Sequence, residues 1–272
     1  MTVTQPTNQG APTTTTTAAA DPTVHLPRLI CLHGFGTNAA IMRIQCRALA
    51  AALSPHFRLL FPDAPFPSPP GPGVEPVFSA WAPFRSWVPV PAGAARARIG
   101  ERGEVELPAT AEGIDAAIRA AVEEDERRNG ATGEVVGVLG FSQGARVAGS
   151  LLLREQRWRK GSVGGAGEEE GRGRRPRYRF AVLMAGRGPF LDLVGDIERH
   201  VQDAALRLPT LHVHGLRDQW LEDHRALVKG ACEKGTAAVV EWDGDHRLPS
   251  KAQDVAAVVK EIVGLADVAE SF

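Results

Sequence analysis

Three residues in this chain have the types and the spacing of a nucleophile, an acid and a base. The stretch "GVLGFSQGARVAG", residues 137–149, sets Ser142 in a G-x-S-x-G pattern, Gly140-Phe141-Ser142-Gln143-Gly144, directly after an apolar run and before a stretch of helical character. Such a pattern marks a sharp strand-to-helix turn. The residues two before and two after the serine must be small for strand and helix to approach, and the serine itself is forced into strained backbone. The turn lifts the hydroxyl clear of the sheet and aims the backbone N–H of Gln143, at a helix N-terminus, where an oxyanion would form. In a chain with 29 glycines the pattern can also arise by chance, so it carries little without partners.

A neutral serine hydroxyl is a poor nucleophile. It needs a histidine to take its proton and an acid to orient that histidine. In this architecture they follow in the order serine, acid, histidine, each just beyond the C-terminal end of a later strand. After "PTLHVHG" the chain offers Asp218, and after "AAVVEW" it offers His246. The other histidines and acids are set aside by position. His212 and His214 alternate within an expected strand, and His25, His56 and His200 fall at expected surface positions. His224 lies with Glu222 and Asp223 on the helix expected after Asp218 and is read, like them, as solvated. Asp243 and Asp245 flank His246 and are read as shaping its loop, because adjacent residues rarely aim a carboxylate at the neighbouring ring.

A second oxyanion donor should come from the loop after the first strand, "CLHGFGTNA", residues 31–39. The N–H of Phe35 is assigned this role, with Gly36 the nearest alternative. Gly34 and Gly36 permit a substrate to approach the backbone closely, and His33 is read as a strand-end residue that braces the loop by hydrogen bonds. No metal or cofactor is required for this chemistry.

These residues need a scaffold that presents strand ends along one edge, and the chain reads as one. Six apolar runs of strand length, at 28–33, 57–62, 134–140, 179–185, 209–215 and 237–242, alternate with four stretches carrying apolar residues at helical spacing, at 39–53, 108–128, 143–158 and 251–266. That is the pattern of an α/β domain with a mostly parallel six-stranded sheet and helices on both faces. The near-continuous apolarity of the strands predicts burial on both sides. The domain is expected over residues 27–272, preceded by a disordered tail over 1–26.

Two segments interrupt the alternation. Residues 64–107 are dense in proline and aromatics, which excludes a regular helix or central strand. Trp81, Phe84 and Trp87 make a folded flap near the active site the expectation, walling an apolar acyl pocket; the bland alternative is packing over the sheet edge. Residues 160–177, "KGSVGGAGEEEGRGRRPR", have almost nothing to bury and read as a flexible low-complexity insertion.

Composition removes other classes of function. At 272 residues, 43% hydrophobic and a formal net charge of −1, the chain can bury a sizeable core but offers no field to attract nucleic acid or an anionic membrane. No stretch approaches the roughly 20 unbroken apolar residues of a membrane span. Cys31, Cys46 and Cys232 are odd in number and widely spaced, and they read as buried thiols in a reducing compartment. With an N-terminus of neither secretory nor transit character, a cytoplasmic protein is expected.

Several motifs together, "LHGFGTNAAIMRIQCRALAAAL", "FPDAP", "RSWVP", "GFSQGARVAG", "HVHGLRD" and "GDHRLP", resemble the α/β-hydrolases of the family of serine hydrolases. That group takes in fungal polyketide-releasing thioesterases of the lovastatin type and the ovarian-cancer-associated serine hydrolase. The resemblance covers most of the chain and implies Ser142 as nucleophile, Asp218 as acid and His246 as base. Two features depart from the family: the long insertion at 160–177, and "MAGRGP" where a serine-glycine-phenylalanine turn is expected. The expectation is a serine hydrolase that cleaves an acyl ester or thioester through an acyl-enzyme. The resemblance implies further that it releases a polyketide or fatty acyl chain, with the acyl carrier domain of a polyketide synthase as transient partner. The alternatives are a general short-chain carboxylesterase and, from another class, a non-catalytic binding protein on the same fold.

Overall fold

A strand that is apolar at every position has to be covered on both faces, and helices are what cover it in this chain. The computed structural model describes residues 21–91, 107–160, 175–194 and 205–269. The strands are β1 (Arg28–Leu32), β2 (Arg58–Leu60), β3 (Phe66–Pro67), β4 (Arg85–Ser86), β5 (Val135–Phe141), β6 (Phe180–Met184), β7 (Thr210–Gly215) and β8 (Ala237–Trp242). The helices are α1 (Ala39–Gln45), α2 (Arg47–Leu53), α3 (Leu107–Asn129), α4 (Gln143–Arg159), α5 (Leu221–Ala231) and α6 (Ala252–Ala269). Six strands form one sheet in the order β2-β1-β5-β6-β7-β8, and every pairing in it is parallel.

Successive side chains of β1 show how the two cores are filled. Ile30 and Leu32 point into a core shared with Ile114 and Ile118 of α3 and Val147 and Leu151 of α4. Leu29 and Cys31 point the other way, onto Met42 of α1, Leu49 and Leu53 of α2, and Val258 and Ile262 of α6. Each fully buried leucine or isoleucine here stabilises the fold by about 1.5–3 kcal/mol. Polar ties reinforce the layers: Arg154 of α4 makes two hydrogen bonds to Asp115 of α3, at 2.9 and 2.5 Å, and Arg58 of β2 holds Asp125 of α3 by two more, at 2.8 and 2.6 Å.

In four places the fold departs from expectation. The helical stretch 39–53 is two helices, broken at Cys46. The continuous burial expected of the last strand fails because β8 closes the sheet edge, where Val239 is 46% exposed. Residues 21–26, assigned above to a disordered tail, are turns tied to the domain: Asp21 pairs with Arg58, and the Val24 carbonyl accepts from the N–H groups of Thr132 and Gly133. Cys232 is half-buried, unlike Cys31 and Cys46, and all three are free thiols. Residues 1–20 of the expected tail, 92–106 of the proline-rich segment, 161–174 of the insertion and His200 lie outside the described residues. Among the described residues no helix is long and apolar enough to cross a membrane.

The sheet order itself locates a site. After β1 the chain turns outward to β2, and from β5 it proceeds the other way to β8. The loops leaving the C-terminal ends of β1 and β5 therefore diverge and open a crevice between them, which is where open parallel sheets bind ligands.

Candidate active site

Ser142 stands at that crevice. It follows β5 and precedes α4, with φ at 54° and ψ at −114°, a left-handed conformation that costs a serine strain and turns its side chain off the sheet. The two flanking glycines are there for space. A Cβ on Gly140 would meet the Gly144 carbonyl oxygen at 2.1 Å, and one on Gly144 would meet the Leu32 carbonyl oxygen at 2.2 Å.

Two further strand ends bring Asp218 and His246 to it. Asp218 sits in the turn after β7 and His246 in the loop after β8. Ser142 Oγ lies 3.0 Å from His246 Nε2, and His246 Nδ1 lies 2.7 Å from Asp218 Oδ2. The second carboxylate oxygen, Oδ1, accepts the Trp220 N–H at 3.0 Å. The Asp218 side chain is fully buried, while His246 keeps a quarter of its side chain exposed. Burial alone would push the Asp218 carboxyl up, but the Trp220 N–H and the rings of His224 and His246 overcome it and hold the group below the usual carboxylate range. His246 is pushed below its ordinary value, chiefly by burial, with Asp218 working against the shift. A ring that is neutral near pH 7, bonded on one side to a hydroxyl and on the other to a carboxylate, can take the hydroxyl proton and be held as the imidazolium that results.

The loop after β1 and the aromatic segment meet beside Ser142. The Gly36 N–H donates to the Arg85 carbonyl at 3.0 Å, so Gly36, the alternative donor, is already engaged. His33 braces the loop from beneath. Its Nδ1 donates to the Gly34 carbonyl at 2.8 Å and its Nε2 accepts the Ala64 N–H at 3.0 Å. That pairing needs a neutral ring, in keeping with burial that lowers its pKa to about 4. Gln143 latches the aromatic segment to the serine turn: its Oε1 accepts the Trp87 N–H at 2.9 Å and its Nε2 donates to Ser86 Oγ at 3.1 Å.

Of the three aromatics expected to wall a pocket, the structure separates one sharply. Trp87 is fully buried, its indole N–H donates to the His33 carbonyl at 2.9 Å, and its ring lies 5.2 Å from that of His33. It has no face left for a substrate and, against expectation, supports the loop after β1 instead of walling a pocket. Trp81 is 40% exposed and Phe84 half-buried. The backbone between them is held by Asn38, whose amide donates to the Trp81 and Pro83 carbonyls at 2.6 and 3.1 Å, and the Phe84 carbonyl accepts the Ser68 N–H at 3.0 Å.

The competing acids are engaged elsewhere. Asp243 pairs with Arg217 and Asp245 with Arg247, and Glu222 and Asp223 pair with Arg225 and Arg187. His25 and His56 are exposed as expected, and His212 and His214 are buried in β7, where burial lowers their pKa values to about 3 and about 4.

His224 is the correction. Expected to face water, it is wholly buried, with Nε2 2.9 Å from Asp218 Oδ2 and Nδ1 2.9 Å from the Gly186 carbonyl oxygen. A signal was present: in "LEDHRALVKGA" it is spaced three residues from both Leu221 and Leu227, which puts it on the apolar stripe of the helix. Trp220 was also passed over, and its ring lies 4.8 Å from that of His246, edge to face.

Comparison with known proteins agrees with this architecture. The family model described as Serine hydrolase (FSH1) matches residues 23–258. A probable esterase of Aspergillus terreus is 50% identical over 248 residues, covering 90% of this chain and 91% of its own. The probable esterase azaC of Aspergillus niger is 48% identical over 246 residues, covering 90% and 87%, and esterase pigG of Monascus ruber is 45% identical over 268, covering 90% and 93%. Among solved structures, a carboxylesterase from Mesorhizobium loti superposes with a TM-score of 0.52 at 21% identity, covering 88% of each chain, a likeness of α/β-hydrolase fold.

Proposed function

The chain belongs to the serine hydrolase (FSH1) family, and on that premise we propose that Ser142, His246 and Asp218 are its catalytic triad. Ser142 Oγ attacks the carbonyl carbon of an acyl ester or thioester while His246 Nε2 takes the hydroxyl proton. His246 then gives that proton to the leaving alcohol or thiol. Water, deprotonated by the same nitrogen, adds to the acyl-enzyme and releases the acid. Asp218 stays ionised and holds the imidazolium. The N–H groups of Phe35 and Gln143 receive the oxyanion, and each such donor is worth roughly 10² to 10³ in rate. The observation that carries this reading is the unbroken chain of contacts at 3.0 and 2.7 Å from Ser142 through His246 to Asp218.

The substrate we propose is a polyketide or fatty acyl chain in secondary metabolism, handed over as a thioester by the carrier domain of a synthase in the cytoplasm. The motif resemblance supports it, and the exposed Trp81 beside the crevice supplies apolar surface. A second reading, an oxygen-ester hydrolase, draws support from the relatives, which carry the name esterase.

Hydrolysis of matched acyl thioesters and oxygen esters over a range of chain lengths separates the two, with Ser142→Ala as control. Turnover should fall by roughly 10⁴ or more in the variant, and a fluorophosphonate should label the parent at Ser142. Preference for medium or long thioesters is expected; preference for short oxygen esters selects the second reading. Turnover indifferent to Ser142→Ala overturns the triad.

A further inference from the structure

Two buried histidines in this molecule hold their rings in different ways. Around His33 the Gly34 carbonyl and the Thr37 hydroxyl oxygen face Nδ1 while the Ala64 N–H faces Nε2, so one ring proton, on Nδ1, suits them all. Around His224 both partners are acceptors. The Gly186 carbonyl oxygen faces Nδ1 at 2.9 Å, and Asp218 Oδ2 faces Nε2 at 2.9 Å. A carbonyl can only accept, and an ionised carboxylate can only accept. A neutral imidazole would therefore leave two acceptors meeting without a proton inside a site where both side chains are fully buried.

Asp218 cannot supply the missing proton without a second conflict. Its Oδ2 already faces His246 Nδ1 at 2.7 Å, and that nitrogen must carry a proton for Nε2 to accept from Ser142. With Oδ2 taking hydrogen bonds from two rings and Oδ1 from the Trp220 N–H, all the donors around the carboxylate match its ionised form. Charge gives the same answer. A buried carboxylate without a counter-ion is costly, and with His224 protonated the resting cluster of Asp218, His224 and neutral His246 carries no net charge.

We propose that His224 is a positioning residue of this site, an imidazolium that donates to both Gly186 and Asp218 and so fixes the charge and the orientation of the triad carboxylate. The inference rests on the triad assigned above. It also gives a purpose to the "MAGRGP" turn: Gly186, next to Ala185 at a φ of 51°, turns its carbonyl to the ring.

The imidazolium has a cost for the base it supports. The rings of His224 and His246 are stacked with centroids 6.2 Å apart, so a positive charge on one disfavours protonation of the other. Of the other charged groups around them, Arg187 also disfavours protonation of His246, but less than His224 does. His214 of β7, 5.6 Å from His224 ring to ring, is kept neutral by burial and faces Glu241 at 3.6 Å. Arg187, from the turn after β6, pairs with Asp223, and Arg225 of α5 pairs with Glu222 and Glu241.

The test is the pH dependence of kcat/KM for p-nitrophenyl butyrate in the parent, His224→Gln and Ser142→Ala. It is joined by a ¹⁵N-correlated spectrum of the histidine rings in the parent at pH 7. His224→Gln keeps bulk and an amide donor but removes the charge. The acid limb of kcat/KM should then move up by about one pH unit or more. In the parent spectrum both ring nitrogens of His224 should carry protons. A limb that stays in place while the plateau rate falls, or a His224 ring that is neutral at pH 7, overturns the proposal. Should His224→Gln fail to fold, the parent spectrum decides by itself. Turnover that survives Ser142→Ala would overturn the triad instead, and the protonation of His224 would still be read independently.

Discussion

Ser142, Asp218 and His246 come from three separate strand ends yet meet within hydrogen-bond distance, whereas Trp81 and Trp87 lie within seven residues of each other and part company, one exposed and one fully buried. The strand ends are placed by a parallel ladder whose register is set along the whole sheet, so residue type and distance past the strand are enough to locate a side chain. Among the described residues of the proline-rich segment the pairing is confined to two residues each of β3 and β4 and a single bridge from Arg85 to Thr37. There each aromatic is placed by its own local contacts: the Trp87 indole N–H donates to the His33 carbonyl, whereas the Trp81 ring packs edge to face on Phe78. Proximity in sequence is thus a weaker guide to shared purpose than attachment to a common frame.

The frame can be broken at its tightest point. Gly144→Ala puts a methyl group 2.2 Å from the Leu32 carbonyl oxygen, where strand and helix have no room to part. A loss of about 5 kcal/mol or more is expected, read as collapse of the folded fraction in a denaturant titration. An unchanged transition would show that the serine turn is far softer than its contacts imply.

The aromatics sharpen the contrast from the other side. Trp87→Ala should cost about 3–5 kcal/mol in thermal or chemical unfolding, as for other buried tryptophans. Trp81→Ala should stay within about 0.5 kcal/mol and act, if at all, through KM for longer acyl chains. Equal effects of the two would erase the difference between support and surface.

The smallest expected effect is one of titration. Burial lowers the pKa of His246, and only its neutral ring can take the serine proton. Activity should therefore be lost as pH falls through a value below 6.5, the ordinary midpoint for histidine. A limb at or above that value in kcat/KM would mean that Asp218 outweighs burial.

The same contrast accounts for what could be read from the chain alone. All six strands of the main sheet, the serine turn and the order of acid and base follow from apolar runs and the residues that end them, because those depend on period and distance. His224 was misjudged because its neighbours Glu222 and Asp223 are charged, while its own face of α5 is the one turned to the protein. Trp87 was misjudged because its partner, the carbonyl of His33, is 54 residues away and belongs to the backbone, which leaves no trace in composition. The split of 39–53 at Cys46 is equally silent, since helical spacing continues across it.

Gln143 sits where these two regions join, its main chain beside Ser142 and its side chain fastened to Ser86 and Trp87. The consequence is one of modularity. The aromatic loop and the helix that begins at Gln143 are fastened as one mechanical unit, and a chimera that imports another loop must import a matching residue 143 with it. Swapped as a pair, they should yield hydrolases of new substrate preference on an untouched sheet.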